Sequence, residues 1–395
     1  MIRIVHTADL HLGATLPRGL IGRDIEEGRR NDFHRSFQEI VTKAIEVNAD
    51  LLLISGDVFH NSSPSPKDFT QFCNELGKLN DAGVKTVAIA GNHDKPKVRG
   101  GRNPMEGLIG AKAPNFTYVQ TLQDEPIRLK AKDGSTIGIA PIPYLDPKAV
   151  ERAGKNYSQF IAEQSEKMLK KLKNADFKVL ASHLMVQGAH FKDLFPWFKE
   201  EPQVRLRDLE GYDYIALGHV HTSQKMSENA YYPGSTERVS FTERDEEKSF
   251  LIVEYEGEIK VEKVKLNCRP MISKKLTLTG STDPTKIVID VLRGLEAAPD
   301  GLLELEIEAD QSTLSMIRSS KLEQEALKKF HAYTVKRKPQ GSSTFLGKTE
   351  ETGGHMMTIR NYVLSYIDSL SGYDADVKAR AKEIAKEIMD RMGVI

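Results

Sequence analysis

The chain has 395 residues and carries 56 Lys and Arg against 56 Asp and Glu, so its formal net charge is zero. A neutral chain has no overall attraction for a polyanion, so nucleic-acid binding would require a local basic surface. The length predicts two or three domains. Cys73 and Cys268 lie far apart in sequence, which favours free thiols in a reducing compartment over a disulfide. No apolar run reaches the roughly 18 residues of a membrane span, and no signal-peptide core follows Met1. We therefore expect a cytoplasmic protein.

Three short apolar segments alternate with two helical patterns in the first quarter of the chain. The segments cover residues 2–7, 50–54 and 85–90, and the sequence of 51–54, Leu-Leu-Leu-Ile, indicates a strand buried on both faces. Apolar residues at helical spacing fill 33–47, and a second helix follows the turn-forming residues 61–66. This alternation predicts a parallel sheet with crossover helices, which is an α/β fold.

Further β structure follows, and the character of the chain changes near residue 268. Residues 116–143 alternate with a hairpin turn at Asp133-Gly134, and further strands are predicted at 177–181, 212–217 and 250–266. We predict one domain over 1–268 and a smaller β-α-β-α-β domain over 269–335. A Lys-, Gly- and Ser-rich linker over 336–354 and a helical segment over 355–395 complete the expected organisation.

Polar residues suited to metal chemistry follow directly after the predicted strands. They are Asp9 and His11, Asp57, Asn92, His93 and Asp94, His183, and His219 and His221. Carboxylate, amide and imidazole groups are ligands of divalent first-row metals. Because strand ends at one edge of a sheet are close in space, we expect these groups to converge.

The same residues suggest individual roles, and each also has a simpler interpretation. Asp57 has two oxygens and could bridge two cations that clamp a phosphoryl transfer. His93 is placed to act as a general acid, with Asp94 fixing its tautomer. Taken alone, Asp9-x-His11 could be a capping motif, Gly-Asn-His-Asp a turn, and His183 a satisfied buried histidine. The agreement of several such motifs, each after a strand, favours the metal site.

Together these motifs resemble the calcineurin-like metallophosphoesterases, and within them the SbcD / Mre-eleven nuclease branch of double-strand-break repair. The resemblance rests on Asp9-x-His11, Gly56-Asp57, Gly91-Asn92-His93-Asp94, His183 and Gly218-His219-x-His221. Three features favour the nuclease branch: Val58-Phe59-His60, the segment from Tyr232 to Arg238, and Arg269-Pro270 before the small domain. The resemblance implies a metallophosphoesterase β-sandwich flanked by helices, a small α/β DNA-capping domain and a helical C-terminal tail.

The resemblance also implies how the ligands are divided. One metal would take Asp9, His11, Asp57 and His221, and the other Asp57, Asn92, His183 and His219. Two Mn²⁺ ions would be usual, with Fe or Zn as alternatives. His93 would protonate the leaving oxygen with Asp94 behind it, and His60 would lie beside the DNA phosphate.

Substrate and partners follow from the same resemblance. We expect a 3′-to-5′ exonuclease on duplex ends and an endonuclease on single strands or hairpins, associated with the nucleoid. The expected partners are DNA, an SMC-like ATPase of the SbcC / Rad-fifty type bound by the C-terminal helices, and a second copy of the chain docked through helices in 66–112, with no membrane. Phosphate contacts could come from Lys95, Lys97, Arg99 and Arg102, and from Arg18, Arg23, Arg29 and Arg30, although solvated loops are the simpler interpretation of each.

Several alternatives remain open. The apolar stripe of Phe69, Phe72, Cys73 and Leu76 could be core rather than interface, and the C-terminal helices could pack on their own domain. A phosphoesterase acting on a small molecule or a phosphoprotein, or a non-catalytic scaffold for DNA ends, would use the same framework.

Overall fold

The computed structural model describes residues 1–96, 102–191, 201–279, 282–339, 364, 367–368 and 374–391. Residues 1–340 form one compact unit and residues 341–395 a second. The first unit contains two six-stranded sheets and one four-stranded sheet. The predicted α/β class is confirmed.

The first sheet is parallel at its centre, as the alternating pattern predicted. Its strands, in spatial order, are β13 (Ile259–Lys265), β12 (Ser249–Tyr255), β1 (Ile2–Thr7), β3 (Leu51–Ile54), β4 (Lys85–Ile89) and β5 (Phe116–Val119). Strands β1, β3, β4 and β5 are parallel, and the hairpin β12–β13 closes one edge antiparallel to β1. The parallel strands therefore bring their carboxyl ends to one edge of the sheet.

The second sheet has the same arrangement. Its strands, in spatial order, are β10 (Gln224–Lys225), β11 (Ala230–Tyr232), β9 (Tyr214–Gly218), β8 (Phe177–His183), β7 (Thr136–Ile142) and β6 (Ile127–Lys130). Strands β7, β8, β9 and β11 are parallel, and β6 joins β7 in the hairpin predicted at Asp133-Gly134.

The two sheets pack face to face, and β3 shows why a continuous apolar run was needed. Leu51 and Leu53 belong to the apolar layer between the sheets, where they join Val179 of β8. Leu52 and Ile54 point to the other side and pack with the helices. Each face of this strand is thus buried against a different layer, which gives the expected β-sandwich flanked by helices.

The helices cover the outer faces of both sheets. Beside the first sheet lie α1 (Ile25–Glu46), α2 (Pro66–Asp81) and α3 (Met105–Gly110), and beside the second lie α4 (Pro147–Arg152) and α5 (Tyr157–Lys171). Phe72 of α2 stacks on Phe37 of α1 at 5.6 Å between ring centroids. Phe72 is therefore a core residue, and Phe69 and Leu76 are partly buried against the same core.

A solvated loop was the simpler interpretation of Arg18, Arg23, Arg29 and Arg30, but the segment that carries them, residues 14–30, is a loop only in part. Its second half forms β2 (Ile21–Gly22) and the first turns of α1. Arg29 is fully buried and its guanidinium donates to the Asp32 carboxylate at 2.7 Å. Charged residues suggested a solvated loop, but an ion pair within one helix allowed this arginine to enter the core.

The third sheet contains β14 (Met271–Thr277), β15 (Ala298–Ala309), β16 (Phe330–Pro339) and β2, in that spatial order. Helices α6 (Pro284–Gly294), α7 (Gln311–Met316) and α8 (Ser319–Ala326) lie between its strands in sequence. Strand β16 extends to Pro339, beyond the expected end of the small domain at residue 335. Arg269, just before β14, makes two hydrogen bonds to Asp32 of α1, at 2.6 and 2.8 Å.

The second unit contains helix α9 (Ala375–Arg391), which lies within the helical segment expected over 355–395. Most of the linker expected at 336–354, and most of residues 355–373 of the expected helical segment, lie outside the described residues. No helix within the described residues combines the length and the apolar composition of a membrane span.

Candidate dinuclear metal centre

The predicted ligands meet at the carboxyl ends of strands from both six-stranded sheets. Asp9 follows β1, Asp57 follows β3 and Asn92 follows β4 of the first sheet. His183 ends β8 and His219 follows β9 of the second sheet. The face-to-face packing of the sheets therefore joins two groups of ligands that are remote in sequence.

Four of these residues have a strained backbone conformation that orients their side chains. Asp9, His11, Asp57 and His219 have positive φ angles of 52°, 45°, 51° and 94°. L-residues seldom adopt this region, and such strain persists only where the surroundings enforce it. Here the backbone N–H groups of Asp9 and His11 donate to the carbonyls of Gly56 and Asp57, both at 3.0 Å. These bonds tie the exit of β1 to the exit of β3.

Two glycines allow the side chains to approach the backbone. A Cβ on Gly56, whose φ is +99°, would lie 2.1 Å from Nδ1 of His183. A Cβ on Gly91 would lie 2.0 Å from Oδ1 of Asp57. Both distances are far below any real contact, so the site requires glycine at both positions.

We name the first group of ligands, Asp9, His11, Asp57 and His221, the Asp9 cluster. The Nε2 atoms of His11 and His221 are 3.1 Å apart, and Nε2 of His11 is 3.9 Å from Oδ2 of Asp57. Asp9, His11 and His221 offer ligand atoms within 4.8 Å of one another. Nitrogens sharing one cation at ordinary bond lengths lie about 3.0–3.4 Å apart, so this spacing suits a bound cation.

We name the second group, Asp57, Asn92, His183 and His219, the Asn92 cluster. Oδ1 of Asn92 lies 3.1 Å from Nε2 of His183 and 3.1 Å from Nδ1 of His219. Nε2 of His183 is 3.6 Å from Oδ2 of Asp57. The same oxygen of Asp57 therefore faces both clusters, while Oδ1 accepts the backbone N–H of His93 at 2.8 Å.

The electrostatics of these residues fit divalent cations. Burial, followed by the charges of Asp94 and Asp9, raises the pKa of Asp57 well above its usual value. Burial lowers the pKa of His11 and of His183 well below the usual value, which favours the neutral, metal-binding imidazole. Oδ1 of Asp9 is buried with no hydrogen-bond partner among the described residues. Cations would satisfy this oxygen and offset the repulsion between the carboxylates.

Three ligand histidines have an acceptor on the ring nitrogen that faces away from the clusters. Nδ1 of His183 is 2.8 Å from the Ser55 carbonyl. Nε2 of His219 is 2.8 Å from Oε2 of Glu201. Nδ1 of His221 is 3.2 Å from Oε1 of Glu243. Such outer partners fix the tautomer and orientation of a metal-binding histidine.

Sequence reasoning missed Glu201 and Glu243. Neither carboxylate follows a strand, and both lie in segments with several other charges. Only the folded arrangement of the loops brings them to the ligands, so no local signal could have singled them out.

His60 and His93 lie beside the Asp9 cluster. Their rings stack with centroids 5.2 Å apart, and the ring of His93 is 4.8 Å from that of His11. Nδ1 of His93 donates to the carbonyl of His60 at 2.8 Å. The expectation that Asp94 fixes the tautomer of His93 therefore needs correction, because this carbonyl holds that nitrogen.

The Asp94 carboxylate has a different position. It accepts backbone N–H groups from Val58 at 3.2 Å, Phe59 at 3.1 Å and Gly91 at 2.9 Å. Asp94 thus joins the loops that follow β3 and β4. Its buried location explains the difference, since a short side chain surrounded by backbone donors satisfies them first.

The basic residues predicted to contact phosphate have mixed outcomes. Lys95 is half-buried, and burial lowers its pKa although Asp146 partly opposes this. Arg102 is exposed and pairs with Glu106 at 3.3 Å. Lys97 and Arg99 lie outside the described residues. Arg29, with its buried partner Asp32, is not available to a phosphate.

Comparison with known protein families identifies the family to which this fold and its candidate metal site belong. The family model for calcineurin-like phosphoesterases matches residues 2–223, which is more than half of the chain. The chain belongs to the calcineurin-like phosphoesterase family. The match covers all of the ligands proposed above, so the resemblance based on their motifs is confirmed.

Curated relatives point to one branch of this family. The chain is 26% identical to the DNA double-strand break repair protein Mre11 of Methanosarcina mazei, over 83% of this chain and 48% of that protein. It is 28% identical to the protein of the same name from Methanopyrus kandleri, over 65% of this chain and 54% of that protein. It is 25% identical to a subunit of the nuclease SbcCD of Staphylococcus epidermidis, over 65% of this chain and 67% of that protein. The chain thus spans about half the length of the first two relatives.

Proposed function

We propose that this chain is a nuclease that hydrolyses DNA phosphodiester bonds with two divalent cations. The observation that carries the proposal is the shared oxygen of Asp57, which lies 3.9 Å from Nε2 of His11 and 3.6 Å from Nε2 of His183. A ligand common to two clusters is suited to two adjacent cations. When bound, such cations stabilise the attacking and leaving oxygens of an in-line displacement. The names of the relatives, a DNA repair protein and a nuclease subunit, support DNA as the substrate.

His93 is the proposed general acid. Its Nδ1–H donates to the His60 carbonyl at 2.8 Å, and a carbonyl can only accept. That proton is therefore retained, and Nε2 is the nitrogen that exchanges a proton with the leaving oxygen. His60, whose ring stacks on that of His93, would contact the adjacent phosphate. The role of Asp94 is then to hold the backbone that carries both histidines, through its bonds to the loops after β3 and β4.

The finer assignments extend this proposal. We propose Mn²⁺ as the metal, with 3′-to-5′ cleavage of duplex ends and endonuclease cleavage of single strands and hairpins. The third sheet would be a DNA-capping domain. In α9, Val377 and Ile384 are 52% and 47% exposed and lie two turns apart, which suits docking in a groove of an SMC-like ATPase. Ile109, 47% exposed in the 66–112 region, is a candidate contact of the proposed homodimer.

Cleavage of defined substrates tests the proposal. The purified chain would be incubated with Mn²⁺ and an end-labelled duplex, a DNA hairpin, or a generic aryl phosphodiester. We expect cleavage of both DNA substrates, and loss of that cleavage in His93→Asn with metal binding largely retained. His190→Asn, which changes an exposed histidine on another loop, is the matched control and should cleave at the wild-type rate.

Two outcomes would contradict the proposal. Hydrolysis of the aryl phosphodiester without any cleavage of DNA would favour a phosphoesterase with a small-molecule or phosphoprotein substrate. A His93→Asn variant that cuts DNA as fast as the wild type would refute the assigned general acid.

A further inference from the structure

A buried group of charges lies behind His221, on the side away from the Asp9 cluster. Oε1 of Glu243 is 3.2 Å from Nδ1 of His221, and a carboxyl oxygen of Glu243 is 2.9 Å from the ammonium of Lys248. Both charged side chains are only 1% exposed. The backbone N–H of Val239 donates to Oε2 of Glu243 at 3.1 Å. Glu243 therefore has fixed partners on both of its oxygens.

Lys248 holds His221 by a second route. Its ammonium donates to the carbonyl oxygen of His221 at 3.1 Å and to Oγ of Ser235 at 2.8 Å. It also lies 2.9 Å from Oε2 of Glu246. A fully buried ammonium is costly to desolvate, and an arrangement of this kind persists only when every donor is satisfied. One side chain thus fixes the backbone of His221 and the carboxylate that binds its ring.

The backbone of Glu243 is also fixed, by the turn to which it belongs. It ends the short 3-10 turn Phe241–Glu243, which Ser240 caps by accepting the N–H of Thr242 at 3.2 Å. Phe241 is buried in an apolar cluster with Met271, Leu302 and Ala332 of the third sheet. The turn is therefore anchored in the core between two parts of the fold, and the position of Glu243 does not depend on its ion pair alone.

The contact selects one orientation of the His221 ring. Nδ1 faces Glu243, so Nε2 faces Nε2 of His11 at 3.1 Å, in the direction of the Asp9 cluster. A carboxylate on the outer nitrogen keeps the proton there and makes the inner nitrogen a stronger ligand. His219, in the Asn92 cluster, has its own outer partner in Glu201. The two clusters are thus supported by different carboxylates.

We propose that Glu243, held in place by Lys248, is a positioning residue that orients His221 and so sets the affinity of the Asp9 cluster for its cation. The inference rests on the two-cation site of the proposed function, and it does not depend on the substrate. It predicts that the two cation sites can be weakened separately by changing residues that touch neither cation.

Titration of the full-length chain with Mn²⁺ tests this inference. Calorimetry would give the affinity of each site, and electron paramagnetic resonance would distinguish a spin-coupled Mn²⁺ pair from a single ion. Glu243→Gln keeps the size of the side chain and removes its charge. We expect one of the two affinities to fall by about 10- to 100-fold and the other to stay unchanged. At intermediate Mn²⁺ the coupled signal should give way to that of an isolated ion.

Two further variants complete the experiment. Lys248→Met should weaken the same site as Glu243→Gln. Glu304→Gln is the matched control, because Glu304 is a buried carboxylate of the third sheet, 5% exposed, that does not belong to either cluster. It should bind two ions with wild-type affinity. If Lys248→Met fails to fold, as judged by circular dichroism, Glu243→Gln decides alone.

Wild-type affinity at both sites in Glu243→Gln would overturn the inference, and so would an equal loss at both sites. Neither result concerns DNA. A wild-type chain that binds two ions but does not cut DNA would refute the proposed nuclease activity and leave the role of Glu243 intact.

Discussion

Replacing Asp57 by asparagine should remove both cations together, because its Oδ2 faces both clusters. Asn keeps the shape of the side chain. Its amide oxygen can still accept the backbone N–H of His93, which Oδ1 of Asp57 accepts at 2.8 Å. Its amide nitrogen would then face Nε2 of His183, which is free to accept because Nδ1 of His183 donates to the Ser55 carbonyl. The metal-free variant should therefore fold normally.

The magnitude follows from ligand linkage. One cation present at 1,000 times its dissociation constant stabilises the folded state by about 4 kcal/mol, so two independent cations would contribute about 8 kcal/mol. Asp57→Asn should lose nearly all of this. Asp9→Asn, which changes a ligand of the Asp9 cluster alone, should retain about half.

Without metal, the order of stability of the Asp57→Asn variant and the wild type should be reversed. Burial and the neighbouring charges of Asp94 and Asp9 raise the pKa of Asp57, which means that its ionised form is disfavoured in the fold. A neutral amide removes that cost, so metal-free Asp57→Asn should be more stable than the metal-free wild type.

Chemical denaturation with and without saturating Mn²⁺ measures both effects on the same samples. The wild type and Asp9→Asn provide the comparison. An Asp57→Asn variant that keeps half or more of the Mn²⁺-dependent stabilisation would refute the reasoning, because one site would then be independent of Asp57.

Two further predictions concern parts of the fold that support the site. Asp32→Ala removes the carboxylate 2.7 Å from the fully buried Arg29 and leaves the Glu237 carboxylate at 3.8 Å, so it should lower the free energy of unfolding in urea by about 3–5 kcal/mol. Glu46→Ala, which breaks an exposed pair, should change it by about 1 kcal/mol or less. Equal effects of the two variants would contradict this prediction. Gly91→Ala places a Cβ 2.0 Å from Oδ1 of Asp57 and should abolish binding of both Mn²⁺ ions in calorimetry. Gly107→Ala should bind as the wild type, because its added Cβ would meet nothing within 4 Å beyond its own helix backbone and chain neighbours. Undiminished binding by Gly91→Ala would show that the loop after β4 can move aside.

The sequence predicted the convergence of the ligands well, for a physical reason. In a parallel sheet the carboxyl ends of the strands share one edge, so Asp9, Asp57 and Asn92 had to be neighbours once β1, β3 and β4 were recognised. The strand pattern alone did not show that a second sheet would face the first, and only the family resemblance implied a β-sandwich. That packing brings His183 and His219 to the same place.

Local sequence patterns could not predict the residues that support the metal ligands. Glu201 and Glu243 come from irregular segments whose course depends on the whole fold. The environment of Arg29 was wrongly expected, since a basic residue among glycines and charges usually lies in solvent, whereas here Asp32 pairs with it inside the core. Asp94 was assigned to His93 because the two are adjacent in sequence, but the backbone donors around it were visible only in the structure.

The account depends most directly on the presence of two cations that share Asp57. A crystal of the chain soaked in Mn²⁺, with diffraction data collected at the manganese absorption edge, locates every bound ion. The account predicts two anomalous peaks about 3.5–4 Å apart, with Oδ2 of Asp57 between them. A single peak, or two peaks of which only one contacts Asp57, would contradict it.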